Sequence, residues 1–448
     1  MGNSISNHQA SVKAPGWPAA AAIVIGNMVG IGVFTSLGYQ LLGVSSNFSI
    51  LLLWVIGGFY AICGALCYGE LVASRPRCGG EYHLLSSVYH PCVGFLAGWI
   101  SVTVGFAAPV AAACGIFGEY FVQSIGLENI NGKVPAVVML LSVTAIHLMK
   151  LKVGGLFQII MSILKFGLIL LLAISGIMLG TEGSWDFSPS EGEWSVILSP
   201  GFAVALFYVN YAYAGWNAAS YVAGEIRNPA KNIPKALLLG TISVLLLYLL
   251  INISFIVSAP KSEMVGQEEV GLIAARYIFG QSGGNLIGGL VAFGLISAVS
   301  AMTWAGPRVT QMIGQDYKKL SFFAKTNKSK IPVNSVIFQS LIALVMLLLV
   351  DPDRIIIYLE FVLNLSLSAA VAGVIWLRIK EPNLSRPYRC FGYPLTPILF
   401  LCMAIYVEFR LIQTRPVESL WGLGTVCLGL LFYFYIRESD DLKKDLNQ

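Results

Sequence analysis

Three stretches of this chain hold residues that a plain apolar segment has no use for, and all three suit ligand binding better than bond-making chemistry. The first reads AAAIVIGNMVGIGVFTS, where Gly26, Gly30 and Gly32 surround Asn27 and Ile31 in the middle of an apolar run. Each glycine costs ~1 kcal/mol in a helix relative to alanine. In hydrocarbon, any backbone group that a break frees must find another partner. A break here would leave amides and a helix N-terminus facing an anionic group. The plainer alternative is close helix packing, since Gly26 and Gly30 form a GxxxG pair.

The second stretch, FYVNYAYAGWNAASYVAGEI, places Gly215 mid-run among Asn210, Tyr211, Tyr213, Trp216 and Asn217. Tyr and Trp favour the membrane interface, but these lie well inside the run, where a hydroxyl or indole N–H needs a partner. The third is Lys165 in FQIIMSILKFGLILLL. An ammonium at that depth costs at least ~2.5–3.5 kcal/mol on insertion scales, so it is a candidate for function. Carbonyls freed at the first break, and the hydroxyls of Ser297 or Ser300, are its expected partners. Its alternative role is a fixed charge that only braces a bundle.

The elements that must position these residues are membrane spans. Of 448 residues, 56% are hydrophobic and 11% charged, against roughly 25% charged in soluble domains. The mean hydropathy is +0.75. Apolar runs fall near 17–43, 49–74, 93–124, 134–149, 154–180, 199–224, 236–258, 284–313, 333–350, 355–379, 394–413 and 418–437. At ~20 residues per span, this predicts an all-α membrane protein of about 12 transmembrane helices in one domain over 1–448. The region 261–283 reads as a short helix lying on the outer surface. Residues 17–180 and 199–379 are expected to form two inverted five-helix repeats, with 394–437 as two additional helices. In that arrangement the first and sixth spans occupy equivalent places. Interrupted segments at corresponding positions of two halves are the best sequence pointer to a transporter binding site.

Charge sets the expected orientation. With a cytoplasmic N-terminus, inside loops and tails hold 21 of the 28 basic residues, the outside holds six, and Lys165 lies within a span. Basic residues resist translocation, so both termini are expected in the cytoplasm of a plasma or inner membrane. The net charge of +5 is therefore a topology signal and not a nucleic-acid surface. Met1 to Pro15 is polar and runs straight into a span, which reads as no cleavable leader; Gly2 to Ser6 fits a myristoylation pattern weakly. The eight cysteines lack ligand spacing, and Cys63, Cys67, Cys114, Cys402 and Cys427 read as small core residues. No metal or cofactor site is expected: His147 sits at a helix end, and four histidines make no ligand set. Glu70 and Glu225 are expected to anchor loops or gates, Glu408 and Arg410 to snorkel at the outer end of the eleventh span, and Glu360 has no assigned role.

Four stretches then carry a family resemblance: GNMVGIGVF, YGELVASRPRCGGEYHLL, YAGWNAASYVAGEIRNPAKNIPKA and RPYRCFGYPLTP. With these the chain resembles the amino acid–polyamine–organocation superfamily, and within it bacterial relatives of the L-type amino acid transporters. The resemblance implies two inverted five-helix repeats plus two spans, the LeuT-like arrangement, with the substrate held on exposed backbone at two breaks. It implies that Gly30, Ile31 and Gly32 meet the carboxylate, that Tyr211, Ala212 and Ala214 face the ammonium and side chain, and that Asn217 belongs to the sixth-span motif. Lys165 matches a lysine of sodium-independent members. Ile31 stands where many relatives have Ser or Thr, and Tyr211 where a Phe is frequent.

The expected function is sodium-independent amino acid transport, as exchanger or proton-coupled symporter, with neutral amino acids favoured. The expected site comprises Asn27, Gly30, Ile31, Gly32, Tyr211, Ala212, Tyr213, Ala214, Gly215, Trp216 and Asn217, with Lys165 as the coupling residue. The partners are an amino acid, the lipid bilayer and, in the symport case, protons. A polyamine or organocation carrier and a membrane nutrient sensor are the alternatives. An enzyme is not expected, because no span pairs a nucleophile with a base.

Overall fold

In a computed structural model, residues 15–76, 80–127, 129–149, 155–189 and 191–445 are described, with the side chains of 155–162, 225 and 438–445 excepted. Gly2 to Ser6 and the Glu225 side chain, each assigned a role from the sequence, lie outside that description.

Among the described residues the regular structure is entirely helical. The principal helices are α1 (Trp17–Met28), α2 (Gly32–Gln40), α3 (Asn47–Ser74), α4 (Gly80–Val88), α5 (Pro91–Ile125), α6 (Lys133–Leu148) and α7 (Gly155–Leu179). They continue with α8 (Pro200–Tyr213), α9 (Pro229–Ser258), α10 (Val270–Asp316), α11 (Val333–Leu349), α12 (Pro352–Lys380), α13 (Leu395–Thr414) and α14 (Pro416–Asp445). Seven described helices are long and apolar enough to cross a membrane, and the bent α1–α2 pair passes the same test as one span. Starts are set by local chemistry. Ser46 and Ser199 accept from the amides of Ser49 and Phe202, capping α3 and α8. Proline follows the cap in α5, α8, α9 and α12, where its missing N–H costs nothing.

Helices α1, α2, α3, α8 and α9 pack into one group, while α10 lies along α5 and α11 along both. Helix α7 touches α9 and α10, joining the groups, and α12 and α13 close over α3 and α8. The core is one large apolar cluster running through both groups.

Several expectations change. Helix α4 lies between the apolar runs 49–74 and 93–124, in a stretch that hydropathy alone does not mark. The surface region 261–283 divides into a four-residue helix, Lys261–Met264, and the start of α10, which turns at Gly280 (φ 72°) before running on. Glu408 does not snorkel: the Asn364 amide donates to its Oε1 at 2.9 Å inside the bundle, and Arg410 turns to Gln413. A carboxyl turned into the bundle needs a hydrogen-bond partner, and Asn364 supplies it. Cys402 and Cys427 lie on exposed helix faces, unlike the buried Cys63, Cys67 and Cys114. Glu70 does anchor a loop: Arg378 and Arg386 surround its carboxylate, and the Cys390 amide donates to it at 2.6 Å.

Candidate functional site

The α1–α2 break spans Val29 to Ile31 and bends the pair by 42°. The amide of Val29 still reaches Ile25 O, but those of Gly30 and Ile31 meet no backbone acceptor among the described residues. They stand just before the N-terminus of α2, where orphan amides and the helix dipole favour negative charge. A Cβ on Gly30 would touch only the Met28 carbonyl oxygen, 3.9 Å away. The open space there is a narrow cavity lined also by Phe34, Lys165, Leu168, Val291 and Gly294.

Helix α8 stops at Tyr213, and Gly215 turns the chain at φ 100°, a conformation that L side chains rarely adopt. The chain continues as a 3-10 segment, Ala218–Glu225. Two close approaches lock this break against the first. A Cβ on Gly32 would stand 2.7 Å from Ala212 Cα, and one on Gly215 would stand 3.1 Å from the carbonyl carbon of Asn27. Tyr248 of α9 then spans both. Its hydroxyl lies 2.6 Å from Met28 O and 3.0 Å from Ala212 O, so one proton serves a carbonyl freed at each break. Two discontinuous helices meeting back to back are the structural signature of a midplane binding site.

A family model for amino acid permeases matches residues 16–431. The chain belongs to the amino acid permease family. Similar proteins include the b(0,+)-type amino acid transporter 1 of Homo sapiens, 26% identical over 94% of this chain and 87% of its own. The large neutral amino acids transporter small subunit 2 of Homo sapiens is 26% identical over 94% and 80%, and the serine/threonine exchanger SteT of Bacillus subtilis (strain 168) 27% over 94% and 95%. The permease is thus a membrane protein of amino acid transport and not an enzyme.

Within the permease the expected site residues divide. Asn27, Gly30, Ile31, Gly32, Ala212, Ala214 and Gly215 gather at the paired breaks, with Tyr211 buried at the end of α8. The Tyr211 carbonyl accepts from the Ala214 amide at 3.0 Å. The other three turn into the bundle. Tyr213 donates to Trp54 O at 3.0 Å, and Trp216 meets Tyr68 edge-on at 4.9 Å. Asn217 donates to Glu81, a buried carboxylate that Tyr68 and Tyr221 also engage. Lys165 lies along Gly294 and shares the Gly30 cavity. Its expected hydroxyl partners are placed otherwise: Ser300 bonds His147 Nε2 at 2.9 Å, and Ser297 Oγ is buried without a partner.

Tyr248 at the breaks, Phe34 in the Gly30 cavity and Glu81 against Asn217 hold places that the sequence did not point to. A tyrosine deep in SVLLLYLLIN is the signal for the first, because its hydroxyl must find an acceptor there.

Proposed function

We propose that the permease is a sodium-independent carrier of neutral amino acids that works as an exchanger or proton-coupled symporter. The observation that carries this reading is the contact of the two breaks, Gly32 on Ala212 and Gly215 on Asn27. The substrate carboxylate would sit on the amides of Gly30 and Ile31 at the N-terminus of α2. Its ammonium would face carbonyls at the C-terminus of α8, around Tyr211 to Ala214. The two helix dipoles then point the right way for the two ends of a zwitterion. Lys165, on the wall of the same cavity, would supply the fixed charge that sodium supplies elsewhere.

Twelve spans follow if the three shorter apolar stretches, Lys133–Leu148, Ile163–Leu179 and Val333–Leu349, and α8 with its 3-10 continuation are counted with the long helices and the bent pair. We read 17–180 and 199–379 as inverted repeats, 394–437 as added helices, and both termini as cytoplasmic, on the distribution of basic residues. The named activities of the relatives, including a serine/threonine exchanger and a large neutral amino acid transporter, favour neutral substrates and exchange.

The test is uptake of radiolabelled serine, alanine and leucine into proteoliposomes, with and without internal amino acid, sodium or a pH gradient. Uptake is expected to be stimulated by internal amino acid or by an inward proton gradient, and to be unchanged without sodium. Collapse on sodium removal would overturn the role of Lys165. Competition by putrescine but not by leucine would make the permease an organocation carrier.

A further inference from the structure

A second polar cluster lies on the far side of α8 from the α1–α2 break. Asn210 and Ala212 differ by two residues, about 200° around a helix, so Ala212 faces Gly32 while Asn210 faces α12. There Asn210 meets Glu360. One turn further along α12, Asn364 donates to Glu408 of α13 at 2.9 Å and accepts from Tyr60 of α3. Glu360, Asn210, Asn364 and Tyr60 are all buried, and Glu360 lies within electrostatic reach of Glu408.

Two features make this cluster incomplete as it stands. It has no counter-charge: neither carboxyl forms an ion pair among the described residues. Among the described residues the elements packed around it supply none to it; Arg378 of α12 is paired with Glu70 of α3. On α13, Arg410 turns to Gln413. On α12, Arg354 lies 3.9 Å from Glu418 of α14. Helix α5 brings only Glu119, and α4 brings His83 and Glu81, the latter held by Tyr68, Asn217 and Tyr221. The cluster is also short of donors. Glu408 Oε2 and Asn210 Oδ1 are buried acceptors with no hydrogen-bond partner. An isolated carboxylate in the bilayer interior is costly, and an orphan buried acceptor costs ~1–3 kcal/mol. A proton shared between the two carboxyls lowers both costs, since it leaves one charge in place of two and supplies an O–H donor. Phe400 stacks on Tyr60 at 4.1 Å at the side of the cluster.

We infer that Glu360 and Glu408 form a shared proton-binding site, which loads one proton from the outer solution with each amino acid and releases it to the cytoplasm. Asn210 couples it to the breaks, since it directly precedes Tyr211 at the end of α8. This rests on the carrier reading above and deepens it, naming the proton as the co-substrate and placing it away from Lys165.

The experiment uses proteoliposomes of the full chain, radiolabelled leucine, serine and alanine, and an internal pH dye. At an inward gradient of one pH unit, one-for-one symport accumulates substrate about tenfold. Glu360→Gln and Glu408→Gln keep the side-chain shape and supply N–H donors. Both should abolish accumulation and substrate-driven internal acidification while leaving substrate-for-substrate exchange within about twofold of the parent, roughly 0.4 kcal/mol. Gradient-driven accumulation that survives in both variants overturns the proposal. Loss of exchange in both overturns it too, by assigning the carboxyls to binding or folding. A parent that exchanges but moves no protons overturns it while leaving the carrier reading intact. A parent with neither activity overturns the carrier reading itself.

Discussion

Gly32 lies so close to Ala212 that a methyl group on the glycine would stand 2.7 Å from Ala212 Cα and 2.9 Å from its Cβ. Neither neighbour is the end of a flexible side chain, so Gly32→Ala must push α2 and α8 apart. Overpacking of this kind costs ~1–3 kcal/mol. The variant should melt at a lower temperature in detergent and lose transport by about tenfold or more. Unchanged melting and uptake would mean that the two breaks do not touch.

Tyr248→Phe keeps the ring that meets Trp54 edge-on at 5.3 Å and deletes only the hydroxyl. The carbonyls of Met28 and Ala212 then lose their donor, at a cost of ~1–3 kcal/mol. Lower thermal stability and slower uptake are expected, with the helical content unchanged by circular dichroism. A variant indistinguishable from its parent in both assays would rule out the bridge.

Lys165→Ala should separate function from folding. Removing an ammonium from mid-span relieves an insertion cost of ~2.5–3.5 kcal/mol, so yield and thermal stability should hold or rise. Transport should be lost or uncoupled. If uptake were untouched, the role of Lys165 as a required fixed charge would fail.

Outside the spans, burial raises Glu268 to about 7, with Glu119, Glu269 and Asp353 adding to the shift and Tyr39, which donates to Oε1 at 2.8 Å, opposing it. The carboxyl therefore binds its proton more tightly when the loop is docked on α2 than when it is free, near pH 4.3. The resulting stabilisation is full below that value and fades as pH rises through about 7. Hydrogen-exchange protection across 261–279, taken relative to the intrinsic rate at each pH, should fall between about pH 5 and pH 8, and Glu268→Gln should flatten that fall. An equal pH slope in the variant would remove Glu268 from the loop's docking.

The sequence by itself determined what is local. Apolar runs fixed where helices form, because each span must satisfy its own backbone. Gly30, Gly32 and Gly215 marked the two interruptions, since a helix interior penalises glycine and only glycine takes φ 100° readily. Lys165 stood out because charge in an apolar run needs a reason. What side chains meet was decided only by the tertiary structure. Tyr248 lies 220 residues from Met28 in the chain, Tyr60 lies 304 from Asn364, and Asn217 lies 136 from Glu81. Hydropathy says that a hydroxyl or carboxyl in a span must have a partner. It does not say which helix brings it, and so Glu408, placed at the lipid surface by its position near a helix end, turned inward to Asn364.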